Sequence, residues 1–191
     1  VGFVWYGRIM SEQPVKPSFD ADQIRIVNHA VTMAEELVSN YFKMSASQWL
    51  RPKYDVKTLN DLSSNEIVEG PFAQIIRYQG YRNGSFLGSE SYDFYKICLQ
   101  DHTILTTLAG SPRLSLMPFS LYIIAHELIH IIRFSKFLQN FAANPDEKMN
   151  EERRVHTLTH QILTDVNVAG ITAVLDFYRH WRKPIEGLQG S

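Results

Sequence analysis

The chain has a single cysteine, Cys98, in 191 residues, so it cannot form an internal disulfide and is not one of the small scaffolds held together by such bonds. It also lacks an excess of either charge. Its 19 Lys and Arg against 20 Asp and Glu give a formal net charge of -1, which supplies no bulk attraction to nucleic-acid phosphates or anionic lipid. Nucleic acid is therefore not an expected partner. No internal repeat or low-complexity tract is present, which excludes solenoids and compositionally biased arrays. The longest apolar stretch, Leu121 to Ile132, is interrupted by His126, Glu127 and His130. It falls short of the ~20 residues that a membrane-spanning helix needs, and it reads as a buried helix. What the chain does have is 45% hydrophobic and 20% charged residues, the balance of a globular domain with core enough to build a dry cleft.

Three sections are expected: residues 1–18 as an N-terminal arm and linker, 19–184 as one domain, and 185–191 as a tail. The chain begins at Val1 rather than Met, and Val1 to Gly7 is apolar and aromatic. That is how the end of an upstream membrane anchor looks, so such an anchor stays open, although a signal peptide's length and cleavage pattern are missing. The two prolines between Ser11 and Ser18 favour an extended linker. From Asp20 to about Phe42, apolar residues recur every three or four positions, which predicts an amphipathic helix. Short helical turns are expected around Ala46 to Leu50 and Val56 to Leu62.

Phe72 to Tyr81 and Tyr92 to Gln100 read as strands around the turn signal Arg82-Asn83-Gly84-Ser85, and Thr103 to Leu108 is a third candidate. A long helix is predicted from Pro118 to about Phe141, a break at Ala142 to Asp146, and a further helix from there toward Val168. Ile171 to Arg182 is again helical in pattern. This order predicts an α+β fold, with a small antiparallel sheet packed on the helices.

The second-last long helix carries the chemistry. His126-Glu127-Leu128-Ile129-His130 matches H-E-x-x-H. Residues four apart share a helix face, so both imidazoles can hold one zinc ion at ~2.0–2.1 Å, with Glu127 as general base toward a zinc-activated water. At this composition a chance match is expected in roughly one chain in seventy. The alternative is a buried helix whose His and Glu side chains pair among themselves, which is costly unless every partner is supplied.

A catalytic zinc needs one more protein ligand, and Glu151 and Glu152 open the next predicted helix. The helix phase, at 100° per residue, separates them. Glu151 falls on the stripe of Val155, Leu158 and Ile162, whereas Glu152 falls on a polar edge with His156 one turn below. Glu152 is the expected third ligand. His156 and His160 keep open a larger multi-histidine centre, and a non-catalytic, regulatory zinc-binding domain is the alternative from another class. Tyr178 and His180 are the downstream side chains with the chemistry to support an oxyanion.

These residues together resemble the gluzincin metallopeptidases, whose H-E-x-x-H is completed by a glutamate on the following helix. The resemblance covers about a third of the chain and implies a zincin-like fold, one Zn2+ per chain, and a peptide or protein substrate cleaved at an amide bond. It also implies that His156 stands where that family has an Asp or Asn orienting a ligand. A strand before the active-site helix would pair with extended substrate, and Tyr92 to Gln100 or Thr103 to Leu108 are the candidates.

Overall fold

The computed structural model describes residues 15–45, 53–81, 91–136 and 144–182. The turn expected at Ala46 to Leu50, the turn signal Arg82 to Ser85, the apolar opening Val1 to Gly7, Ala142 and Ala143 of the expected break, the end of the long helix at Phe141 and the tail at 185–191 lie outside these. The fold is α+β. Its elements are α1 (Ala21–Tyr41), β1 (Lys53–Lys57), β2 (Ala73–Tyr81), β3 (Ser91–Leu99), α2 (Asp101–Gly110), α3 (Leu116–Ser135), α4 (Pro145–Leu163) and α5 (Ile171–Phe177).

Helix α1 starts where the sequence says it should. The Asp20 carboxylate accepts from Gln23 N at 2.8 Å while the Gln23 side chain reaches back to Asp20 N at 2.9 Å, a reciprocal cap that settles two otherwise unpaired donors. Val27, Ala30, Ala34 and Val38 form its buried face, and that face packs on α3. Small alanines at the contact let the two helices approach closely.

The sheet corrects two expectations. Its order is β1-β3-β2, and β1 runs parallel to β3 while β2 runs antiparallel to it, so the sheet is mixed rather than antiparallel. Val56 lies in β1, not in a helical turn, and a 3-10 turn follows at Leu59–Asp61. Pairing with Ile97 places Val56 on the sheet's inner face, a tertiary gain that outweighs weak local preference. On that face Tyr95, Ile97 and Leu99 are buried, and Tyr95 stacks on Phe134 of α3 at 6.2 Å.

Thr103 to Leu108 is helix α2, not a strand. Its β-branched residues misdirect the reading, but Ile104, Leu105 and Leu108 have helical spacing, and Ile104 is fully buried. The start is fixed by Asp101, whose buried carboxylate accepts from Phe19 N and Leu59 N, both at 3.0 Å. One side chain thus ties α2 to the residue before α1 and to the turn after β1.

Helix α3 is the centre of the molecule. Phe119, Leu121, Ile124, Leu128, Ile131 and Ile132 are all 0% exposed. It is long and apolar enough to cross a membrane by composition, but 83% of that stretch is buried inside the protein, so the core accounts for its hydropathy. Gly170 packs against its start: a φ of 85° favours glycine there, and a Cβ would sit tightly, 3.2 Å from Ser115 Oγ and 3.3 Å from Pro118 Cγ. The helical pattern predicted over Ile171 to Arg182 is split into α5 and a 3-10 turn at Arg179–Arg182.

The segment leading into β2 is anchored by Glu66. Its carboxylate takes Lys96 Nζ at 2.6 Å and Tyr78 Oη at 3.0 Å, and its carbonyl accepts from Gln74 and Gln100. The Lys96 ammonium, with hydrogen bonds from Ser63, holds the Glu66 carboxyl down to about 2 from its ordinary 4.5. Because the folded value lies below the unfolded one, ionised Glu66 stabilises the fold above about pH 4.5 and that contribution is lost as pH falls toward 2. Glu66→Gln is therefore expected to melt below the wild type at pH 7, with the gap closing between pH 4.5 and pH 2. A gap independent of pH in paired thermal melts would remove the ion pair from the account.

Candidate metal centre

Two helices build the site, and their contacts run in opposite order. Arg133 of α3 meets Glu151 of α4, His130 and His126 meet Glu152, and Tyr122 meets His156. Ascending one helix descends the other, so α3 and α4 lie antiparallel. The phase of α4 is set from its start, where Asn144 accepts from Glu147 N at 2.9 Å and Pro145 occupies the first turn.

His126 and His130, four residues apart on α3, are buried, at 7% and 5% exposure, and their Nε2 atoms lie 3.1 Å apart. The Glu152 carboxylate closes the group. Oε2 is 3.3 Å from His126 Nε2 and Oε1 is 3.2 Å from His130 Nε2. Three lone-pair donors converging at such distances need protons or a cation between them. Donor atoms around a tetrahedral zinc with ~2.0 Å bonds stand roughly 3.3 Å apart, so the spacings fit that ion. Burial opposes ionisation of Glu152, but hydrogen bonds from the two imidazoles outweigh it and hold its carboxyl well below the usual range.

Glu151 is occupied elsewhere. It forms a two-pronged pair with the Arg133 guanidinium, through Nε to Oε1 and Nη2 to Oε2, the latter at 3.2 Å. Both side chains are largely buried, at 8% and 12% exposure. The angular separation of the two glutamates is thus a division of work: Glu151 locks the helices and Glu152 faces the histidines.

Glu127 lines the same cleft without joining the donor triangle, and burial pushes its carboxyl up against the opposing pull of His126 and His130. His156 is buried beside the site. Its Nδ1 shares a hydrogen bond with Tyr122 Oη at 2.9 Å, its ring stacks on Trp181 at 4.7 Å, and it belongs with His126 and Glu152 to a group whose ligand atoms all lie within 4.8 Å. Desolvation and the nearby His126 lower its pKa to about 2, so it is a neutral imidazole. Tyr178 lies in the cleft wall, its ring 4.0 Å from that of Tyr122, and burial raises its phenol well above the ordinary value. His180 is not brought to the site. It is exposed, with Nδ1 3.3 Å from Phe177 O. His160 is also outside the cleft lining.

The cleft has a volume of about 590 Å³, within the range of ligand sites. Residues 70–75, at and before the start of β2, line the cleft together with the residues of α3 and α4. Neither strand proposed to pair with substrate can do so: β3 is the central strand, with both edges used, and Thr103 to Leu108 is helical. The sequence reading missed Tyr122, Lys148 and Trp181. A signal was available for the first two, since Tyr122, His126 and His130, and likewise Lys148, Glu152 and His156, follow one another at intervals of four on single helix faces. No known protein family, curated protein or solved structure matches the chain.

The two glutamates are expected to separate experimentally. Glu152→Ala should weaken zinc binding by roughly a hundredfold or more, whereas Glu151→Ala should retain zinc and lose about 1–3 kcal/mol of stability by taking the two-pronged carboxylate away from the buried Arg133 guanidinium. Zinc titration and thermal melts of both variants check this, and a larger affinity loss in Glu151→Ala would reverse the assignment.

Proposed function

We propose that the protein is a zinc-dependent hydrolase with a zincin-like site, a metallopeptidase that cleaves amide bonds. The observation that carries this reading is the convergence of His126 Nε2 and His130 Nε2, 3.1 Å apart, on the two oxygens of the Glu152 carboxylate, Oε2 at 3.3 Å from the first and Oε1 at 3.2 Å from the second, in a cleft that Glu127 also lines. A divalent cation among those donors supplies a concentrated charge that polarises a carbonyl and acidifies water.

The chain's own residues do the rest. Glu127 adjoins His126 in sequence and stands beside the donors, so it is the group to accept the proton of the attacking water and deliver it to the departing nitrogen. The water oxygen bonds to the carbonyl carbon as the C–N bond breaks, leaving a carboxylate and an amine. Tyr178, protonated at neutral pH because burial opposes its ionisation, is the donor to the carbonyl oxygen as it becomes negative. Strand β2 is at the sheet edge, and its first residues line the cleft; an extended peptide can pair with that edge.

Glu127→Gln is expected to keep zinc and fold while losing turnover about 10²–10⁴-fold, since an amide cannot take the proton. Tyr178→Phe should lose about a hundredfold with zinc unchanged. Assays on a peptide library with parallel elemental analysis check both. Hydrolysis by Glu127→Gln at the wild-type rate sinks the mechanism.

A second reading has one observation in its favour, the 4.8 Å grouping of His126, Glu152 and His156. There His156 completes a closed metal centre without turnover. His156→Ala distinguishes the two: in the hydrolase it should shift zinc affinity no more than about tenfold to a hundredfold, as loss of a neighbour to a ligand does, whereas loss of stoichiometric zinc would favour the closed centre.

A further inference from the structure

We propose that the cleft holds its substrate by a free C-terminal carboxylate, with Lys148 as the anchoring cation, so that the enzyme removes an apolar last residue from short peptides. The inference rests on the hydrolase reading above and names its substrate class.

Among the described residues lining the cleft, Lys148 is the one lysine or arginine. Its helix offers it two acids, Glu151 at i+3 and Glu152 at i+4, the usual partners of a helical lysine. Both are taken. Glu151 is held by Arg133 and Glu152 by the two histidines. Lys148 itself is exposed and makes no ion pair among the described residues. An ammonium left without its local partners, lining a cleft whose two carboxylates are Glu152 among the histidines and Glu127 beside them, is placed for an anionic group on a ligand.

The distance selects which anion. Lys148 precedes Glu152 by four residues, roughly 6 Å along the helix axis, and its four-carbon stem spans several ångströms more. In a peptide cut at its last amide bond, the terminal carboxylate follows the scissile carbonyl by one residue, a step of ~3.8 Å. A cation one helical turn from the metal ligand therefore reaches it. At the same place an internal residue of a longer chain presents an uncharged amide. Phe72, Ile75, Ile123 and Phe134 supply apolar wall in the same cleft, which suits an apolar final side chain. The volume of about 590 Å³ suits a few residues.

The test uses N-acetylated tripeptides ending in Phe, each prepared as the C-terminal acid and as the amide. Zinc-loaded wild type should show kcat/KM for the acid at least about tenfold above that for the amide. In Lys148→Ala the ratio should fall to about one, and in Lys148→Arg it should persist. Equal rates on acid and amide in the wild type, or an acid preference surviving in Lys148→Ala, overturns the anchor while leaving the hydrolase standing. Calorimetric binding of the same two peptides to zinc-loaded protein separates the two proposals. If nothing is cleaved but the acid still binds tighter in a Lys148-dependent way, the hydrolase reading fails and the anchor holds. No acid preference in binding or turnover ends the proposal.

Discussion

One carboxylate holds the arrangement together. Glu152 takes an imidazole from each of two successive turns of α3, and without it that helix would bury two histidines stripped of their carboxylate. Burying such groups unpaired costs several kcal/mol, so an otherwise apolar central helix tolerates them only if α4 arrives at the right height and angle. Two flanking contacts set that height. Arg133 with Glu151 lies on one side of Glu152, and Tyr122 with His156 on the other. A slip of one residue along α4 turns its side chains by 100° and would break all three contacts together.

The same constraint explains what could be read in advance. H-E-x-x-H is legible because its geometry is internal to one helix, and that Glu151 and Glu152 turn to different neighbours is legible because helix phase separates adjacent residues whatever they meet. Partners from other elements were not. Val56 became a strand residue because Ile97 lies beside it, and Thr103 to Leu108 became a helix because Asp101 was fastened by two distant backbone amides. Neither fact is local. Tyr178 and His180 looked equivalent in sequence, yet the turn at the end of α5 sends one into the aromatic wall and the other to solvent.

Lysine 148 shows a subtler limit. Beside two glutamates at i+3 and i+4 it reads as an ordinary surface charge paired along its helix. Only when each acid is seen to have a stronger commitment across the helix interface does the lysine become chemically available. The information lay in what its neighbours were doing, which no spacing rule contains.

A metal site that does chemistry must be rigid where it holds the ion and open where it meets substrate. The rigid sides here are α3 and α4, with His156 wedged between Tyr122 and Trp181 behind them. The remaining wall, residues 70–75, is not part of either helix. It is kept in place by the Glu66 carbonyl, which accepts from Gln74 and Gln100, while the Glu66 carboxylate is fixed by Lys96. The Glu66–Lys96 ion pair is thus tied, through the Glu66 carbonyl and Gln74, to a cleft wall to which it contributes no atom of its own. In the proposed hydrolase, an extended peptide paired with the β2 edge would share the cleft with the histidine and glutamate donors and with Lys148 of the first turn of α4. In that hydrolase, the two helices that would hold the ion, α3 and α4, thus also carry the charge that would meet the end of the substrate.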